Sequence, residues 1–372
     1  MLLTIVVFLI ILSVLVLVHE AGHFIVAKLL KIKVEEFGFG LPPRAVGIKR
    51  GETVYSINWL PIGGFVKLYG EDEAGSGRPQ VKSQKSKVKS EDEGRAFFAR
   101  PVWQRAIVVA AGVFMNFALA VIIISFLFSV VGVPTGGDKV VVTQVVANSP
   151  AEKSGLKTGD TIEYINSTKV TDPNQLVSIT KANLGEKLTF KIQTKNNKHE
   201  VLEITPRKEY PPDQGPMGVA ISQNIITVKY PWYKAPFVGT WEALKESWLI
   251  VSGLGTLFFQ LFTKGALPQG VAGPVGIAQL TGQFVELGVF PLLSFVSLLS
   301  LNLAILNILP IPALDGGRLF FIIIEAVTRR KVDQKIEGYA HAVGMAILLL
   351  LIALITLHDI IRLVTGQPIL PK

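Results

Sequence analysis

The chain has 372 residues, 49% of them hydrophobic, with a mean hydropathy of +0.46 and a formal net charge of +9. Unbroken apolar runs at that balance fit a membrane protein better than a soluble one. Basic loops facing cytoplasm or anionic lipid account for the charge, and no RNA-binding signature or zinc ribbon points to nucleic acid. With no cysteine in the chain, disulfides and thiolate-held metals are excluded.

From Leu2 to Val18 there is no charge, and the apolar run continues to about Leu30. Residues 1–31 therefore read as a first transmembrane helix. A signal peptide is the other reading of such a start. The basic n-region and small-residue cleavage pattern are missing, and cleavage after the run would destroy the motif that follows, so a retained helix is expected. Lys28, Lys31 and Lys33 close it, and Arg44, Lys49, Arg50, Lys67, Lys82, Lys85, Lys87 and Lys89 follow. The positive-inside rule makes residues 32–102 a cytoplasmic loop. Within it, Thr53 to Leu60 and Phe65 to Tyr69 read as two short strands joined by a turn at Pro61-Ile62-Gly63-Gly64. This hairpin is apolar enough either to dip into the bilayer and pair with an extended substrate or to pack on the protein's own core. Glu71 to Arg95, rich in Gly, Ser and Lys, reads as flexible.

A second span is expected over 103–132. Val140 to Ser222, within a domain set at 135–225, changes character. Short β-branched strands (Val140 to Val146, Thr161 to Ile165, Lys187 to Ile192, Val201 to Thr205) alternate with turns such as Lys157-Thr158-Gly159-Asp160. Residues 236–264 read as an amphipathic or interfacial helix carrying Trp241, Glu242, Lys245, Glu246 and Trp248. A third span occupies 287–328, broken after Asn307 by Pro310 and Pro312. A basic stretch (Arg329, Arg330, Lys331, Lys335) marks cytoplasm again, and 338–363 is the fourth span. Four spans put both termini outside and the strand-rich domain outside the cytoplasm.

His19-Glu20-Ala21-Gly22-His23 sits in the first span. On a helix His19 and His23 face the same way, so both imidazoles can bind one zinc ion while Glu20 serves as general base. Ionisable groups within a span need a compensating reason, which favours the metal reading. His23 precedes Lys28 by about 7 Å of helix, in the cytoplasmic half of the bilayer. A catalytic zinc usually has three protein ligands. Asp315, in the break of the third span, lies at a matching depth; as a helix cap it has a second reading, and the need for a third ligand favours the metal. Asn302 and Asn307 on the same span can hydrogen-bond substrate backbone or an oxyanion, or else serve helix packing. His199 reads as a solvated turn residue, and His341 and His358, the latter beside Asp359 and Arg362, as interfacial groups.

These motifs resemble the site-2 protease family of intramembrane zinc metalloproteases, in its bacterial RseP-like branch. His19 to His23 matches the family's first motif, and Asn307 to Gly316 matches its Asn-x-x-Pro-x-Pro-x-Leu-Asp-Gly motif. Further similarity lies at Gly38-Phe39-Gly40, Pro61 to Lys67, Gln104-Arg105-Ala106 with Gly112 and Asn116, and Gly273-Pro274-Val275. Ser149-Pro150-Ala151 and Gly155 to Asp160 resemble a PDZ domain, and Met217-Gly218-Val219 is either its carboxylate-facing stretch or a plain core strand. The resemblance implies a polytopic α-helical membrane protein with four transmembrane helices, a membrane-associated re-entrant β-hairpin and one extracytoplasmic PDZ-like α+β domain. It implies Zn2+ on His19, His23 and Asp315, with Glu20 activating water and Asn302 and Asn307 on the substrate. Single-pass membrane proteins, often anti-sigma factors trimmed beforehand by another protease, would be cut in the inner membrane. Some relatives carry two PDZ domains, whereas Val140 to Ser222 has room for one. A peptide-binding membrane receptor and a metal transporter are the rival readings. The first leaves both membrane motifs idle, and the second sits poorly with a chain lacking repeated halves.

Overall fold

Charge-free sequence through Val18 lets the first helix run uninterrupted: in the computed structural model, helix α1 spans Leu2–Leu29. The model describes residues 2–71, 92–211, 214–264 and 271–365. Lys31 ends α1 by turning left-handed (φ 58°), while the Ile32 N–H reaches back to the Ala27 carbonyl at 2.8 Å. That closure satisfies carbonyls the helix leaves open. Helix α2 (Val102–Val130) follows the strands β1 (Val34–Arg50) and β2 (Thr53–Leu68). Strands β3 (Val133–Val145), β4 (Thr161–Ile165), β5 (Thr168–Lys169), β6 (Leu188–Gln193), β7 (His199–Ile204) and β8 (Val219–Val228) come next, with helices α3 (Pro150–Lys153) and α4 (Pro173–Ala182) among them. The chain continues through α5 (Ala235–Lys264), α6 (Pro274–Leu287), α7 (Val289–Ile308), α8 (Asp315–Thr328) and α9 (Gln334–Thr365).

Two compact units result, residues 1–130 with 231–372 and residues 131–230. Among the described residues of the first unit, four helices are long and apolar enough to cross a membrane: Leu2–Leu29, Val102–Val130, Val289–Ile308 and Lys335–Thr365. Each falls within or close to a span read from the sequence, but the third ends at Ile308, and the rest of the expected 287–328 span is the break and the separate helix α8. Helix α5 has the length but not the apolarity, in keeping with its expected amphipathic character. Helix α6 was not anticipated; its modest apolarity gives no span-like signal. Helix α2 is the hub, packing against α1, α5, α7 and α8.

The hairpin expected over Thr53 to Tyr69 is corrected. Thr53 to Leu60 and Phe65 to Leu68 lie in one strand, β2, and pair with β1 rather than with each other. The hairpin turn is at Gly51-Glu52, with Arg50 opposite Thr53. The first part of β1 is flanked on both sides, since Phe37 lies opposite both Val66 and Tyr55 and Gly38 opposite both Phe65 and Ser56. Gly63, left-handed at φ 78°, bends β2 where a turn was expected. Val46, Ile48, Ile57, Trp59 and Leu60 stay exposed on this sheet. Most of the polar stretch from Glu71 to Arg95, residues 72–91, lies outside the described residues. Around the sheet base, Lys28 and then Arg95 hold the Glu52 carboxyl below the ordinary carboxylate range.

The second unit is an antiparallel sheet in the order β7-β6-β4-β3-β8, with β5 beside β4. Its core gathers Val140, Val142, Ile162, Ile165, Leu176, Phe190, Ile192 and Ile204. Strand β3 begins earlier than expected, and β8 starts at Val219, at the end of the Met217-Gly218-Val219 stretch, and runs on to Val228. His199 opens β7 rather than occupying a turn; it remains exposed, its Nδ1 3.2 Å from Glu163 Oε2.

Arg105 on α2 pairs with Glu325 on α8 at 2.6 Å, with side chains only 8% and 15% exposed. Removing one partner of a buried pair strands the other charge at a cost of about 3–5 kcal/mol, whereas apolar replacement of both is often neutral. Arg105→Met should therefore lower unfolding stability by roughly that amount, and Arg105→Met with Glu325→Leu should recover most of it, as measured by thermal or chemical unfolding in detergent.

Candidate active site

Helix α1 presents the first half of the site. His19 and His23, one turn apart, are both buried, with their Nε2 atoms 3.2 Å from each other. Helix α2 crosses directly over them. A Cβ on Gly112 would overlap His23 Nε2 and come within 2.7 Å of His19 Cε1, so only glycine leaves room for two imidazoles beneath this helix. Gly22 makes the matching close approach to the Ala111 backbone.

The second half arrives from the other end of the chain. Helix α7 ends at Ile308, and residues 309–314 form a non-helical break before α8. Asp315 is the first residue of α8. No side chain caps that helix; the Asp315 carboxylate turns to the histidines instead, with Oδ2 2.8 Å from His19 Nε2 and 3.2 Å from His23 Nε2. Asp315 is thus in the first turn of α8, and Leu314 occupies the N-cap position.

These three residues offer ligand atoms within 4.8 Å of one another. In a tetrahedral zinc site with bonds near 2.0–2.1 Å, neighbouring donors stand about 3.3–3.4 Å apart; two of the spacings, at 3.2 Å, lie near that value and the third, at 2.8 Å, is shorter. The tautomer of His23 fits as well. Its Nδ1 lies 2.8 Å from the Val108 carbonyl, which can only accept, so Nδ1 carries the proton and Nε2 is left as the donor to a metal.

Glu20 neighbours the triad without joining it. Its Oε2 accepts the Val66 N–H of β2 at 3.0 Å. Two residues on, the Leu68 N–H donates to Glu71 Oε2 at 3.2 Å, and Glu71 also meets Arg318 at 2.5 Å. Glu20, His23, Asn58, Val66, Asp315 and Arg318 line one cavity of about 550 Å³. The edge of β2 thus runs along the site, its outward N–H groups held by two carboxylates.

Asn302 and Asn307 do not line this cavity. Both are half-buried on α7, and the Asn302 amide donates to the Leu298 carbonyl of its own helix at 2.9 Å. The sequence reading missed Val108, Glu71 and Arg318. A backbone carbonyl leaves no sequence signature, and the two charges are separated by most of the chain. It also misjudged His341, expected as an interfacial group. His341 is buried, with Nδ1 accepting the Ala313 N–H at 2.8 Å.

Gly112→Ala should push both imidazoles out of place. The expected outcome is loss of bound zinc by metal analysis, together with loss of proteolysis, while Ala at the open position Gly253 leaves both unchanged.

Comparison with known proteins gives the family. The pattern of Peptidase family M50 matches residues 7–351. The zinc metalloprotease RasP of Geobacillus kaustophilus is 31% identical over 420 residues, covering 95% of this chain and 96% of that protein. The regulator of sigma-W protease RasP of Bacillus subtilis is 31% identical, covering 97% and 99%. The zinc metalloprotease RasP of Bacillus licheniformis is also 31% identical, covering 97% and 99%. Matches of this extent, over a chain with four helices able to span a membrane, make it a member of Peptidase family M50, the site-2 proteases, and a zinc metalloendopeptidase.

Proposed function

We propose that this chain hydrolyses a peptide bond within the transmembrane segment of single-pass membrane proteins, anti-sigma factors among them. In this reading it performs regulated intramembrane proteolysis in the bacterial inner membrane. The observation that carries the reading is the convergence of His19, His23 and Asp315, with Glu20 beside them, at a break in an apolar helix.

His19, His23 and Asp315 hold Zn2+ in this proposal. When bound, the ion supplies a Lewis acid for the scissile carbonyl and makes water acidic enough to attack at neutral pH. Glu20 takes the proton from that water on its carboxylate and delivers it to the leaving amide nitrogen. Helical substrate buries its amides in its own hydrogen bonds, so the segment to be cut must first become extended. The Phe65 to Leu68 edge suits such a strand. The N–H groups of Val66 and Leu68 point away from β1, two residues apart, at the spacing of donors along an edge available for strand addition. Carbonyls of an incoming strand would replace the two carboxylates there, and this releases Glu20 for its role as base. The exposed Ile57, Trp59 and Leu60 give the same sheet an apolar surface suited to re-entry into lipid.

Asn302 and Asn307 contact the bound substrate in this reading, Asn307 from the last turn of α7 next to the break. The second unit serves as a PDZ-like domain outside the cytoplasm. Its antiparallel strands with short helices among them, the turn at Lys157 to Asp160 and a groove of about 380 Å³ between α4 and the Gly215 to Ile221 segment support this. Basic residues after α1 and after α8 support an active site toward the cytoplasmic face. Helix α5, with Trp241 and Trp248 exposed, lies along the membrane interface.

Two experiments test the reading. Glu20→Gln should abolish cleavage of a membrane-embedded peptide while zinc stays bound; an active Gln variant rules Glu20 out as the base. Val66→Pro removes one edge N–H at a position where an edge strand tolerates proline. Cleavage should fall at least about tenfold with zinc content unchanged, because main-chain hydrogen bonds give strand addition its affinity.

A further inference from the structure

The break that carries Asp315 is not self-supporting. Ala313 sits in the left-handed region at φ 83°, where a residue with a Cβ is strained. Within the break, backbone hydrogen bonds run from Ile311 to Leu309, from Leu314 to Ile311 and from Gly317 to Leu314, and the Ala313 N–H takes no part in them. That N–H donates instead to His341 Nδ1 of α9, 28 residues further along. The Ala313 N–H is partly buried and the imidazole is its partner, so this acceptor matters to the backbone it holds.

Helix α9 is shaped to bring the acceptor there. A Cβ on Gly344, one turn past His341, would lie 2.5 Å from Pro312 Cβ and 2.6 Å from the Pro312 carbonyl oxygen. Glycine at 344 lets the α9 backbone press against Pro312 while His341 reaches Ala313. The imidazole is only 5% exposed and also packs on Phe321 of α8, with ring centroids 5.7 Å apart. Nδ1 accepts, so the ring proton is on Nε2, which faces Glu337 Oε1 at 3.9 Å.

We propose that His341 is a positioning residue for the reaction: by accepting the Ala313 N–H it holds the left-handed backbone two residues before Asp315 and so fixes the carboxylate against His19 and His23. His341 does not touch the reacting atoms. Its effect passes through the backbone of the break, as partners outside a metal's ligands orient the ligands themselves. This rests on the proposal that His19, His23 and Asp315 form the zinc site.

The test uses the full-length protein in detergent, with three readouts: zinc affinity by chelator competition, the visible spectrum of the Co2+-substituted form, and kcat and KM on a membrane-embedded peptide. His341→Leu keeps bulk and loses the acceptor; His341→Asn places an amide oxygen near the position of Nδ1. For His341→Leu we expect about a 10–100-fold loss of zinc affinity, an altered Co2+ spectrum, and a fall in kcat with KM little changed. His341→Asn should restore most of each. Ala313→Gly relieves the left-handed strain, so its combination with His341→Leu should recover part of the lost affinity; this pair also decides the matter if His341→Leu alone folds poorly. Wild-type affinity and spectrum in His341→Leu overturn the proposal. So does His341→Asn no better than His341→Leu, which would make the ring a packing element only. A different failure marks the zinc site itself: wild-type protein without zinc, or His19→Ala retaining it, removes the underlying assignment whatever the His341 variants do.

Discussion

Three side chains that water would ordinarily solvate meet inside an apolar helical unit, and the rest of that unit is arranged to permit it. Two imidazoles and a carboxylate lie within 2.8–3.2 Å of one another, the histidines buried and the aspartate partly so. Such a cluster needs compensation, by a cation or by a proton on one imidazole. Gly112 of α2 gives the imidazoles space, the Val108 carbonyl fixes one tautomer, and the carboxylate comes directly after a short non-helical break. Each feature spends helix regularity or side-chain volume on the geometry of one point.

That point is served by elements of contrasting rigidity. Helices α1 and α2 cross in close backbone contact, which fixes the histidines with little freedom. Asp315 opens α8 directly after the non-helical break, where the Ala313 N–H bonds to His341. Glu20 is bound to a strand edge by a single hydrogen bond from Val66. The histidines are therefore held by packing, whereas Glu20 is held by a bond of the kind that an extended peptide can replace.

Charge links the remaining parts. Arg105 joins α2 to α8 through Glu325, and Arg318 joins α8 to the end of β2 through Glu71. Both arginines lie at the side of the unit where the apolar helices meet the strands. Arginine suits this position because its planar fork binds a carboxylate with fixed geometry while the stem packs against apolar surface. The helix bearing Asp315 is thus tied on two sides, to the helix above the histidines and to the strand beside Glu20.

The sequence by itself determined the four apolar helices, the His-Glu-x-x-His pair on α1 and the break that holds Asp315. In each case the physics is local: uninterrupted apolar residues make a span, a four-residue spacing puts two histidines on one face, and prolines stop a helix. It did not determine the sheet. The residues of β1 alternate too weakly, with Glu35, Glu36, Arg44, Lys49 and Arg50 and four glycines or prolines between Gly38 and Pro43, so the segment carries no strand signal, although its pairing with β2 forms the wall of the site. Only the tertiary structure decided that Asp315 stands on the histidines, 292 to 296 residues away in the chain, that Val108 sets a tautomer, and that His341 supports Ala313 rather than facing the interface. Those outcomes depend on which backbone groups meet across helices, and a backbone carbonyl or N–H is the same in every residue that carries it.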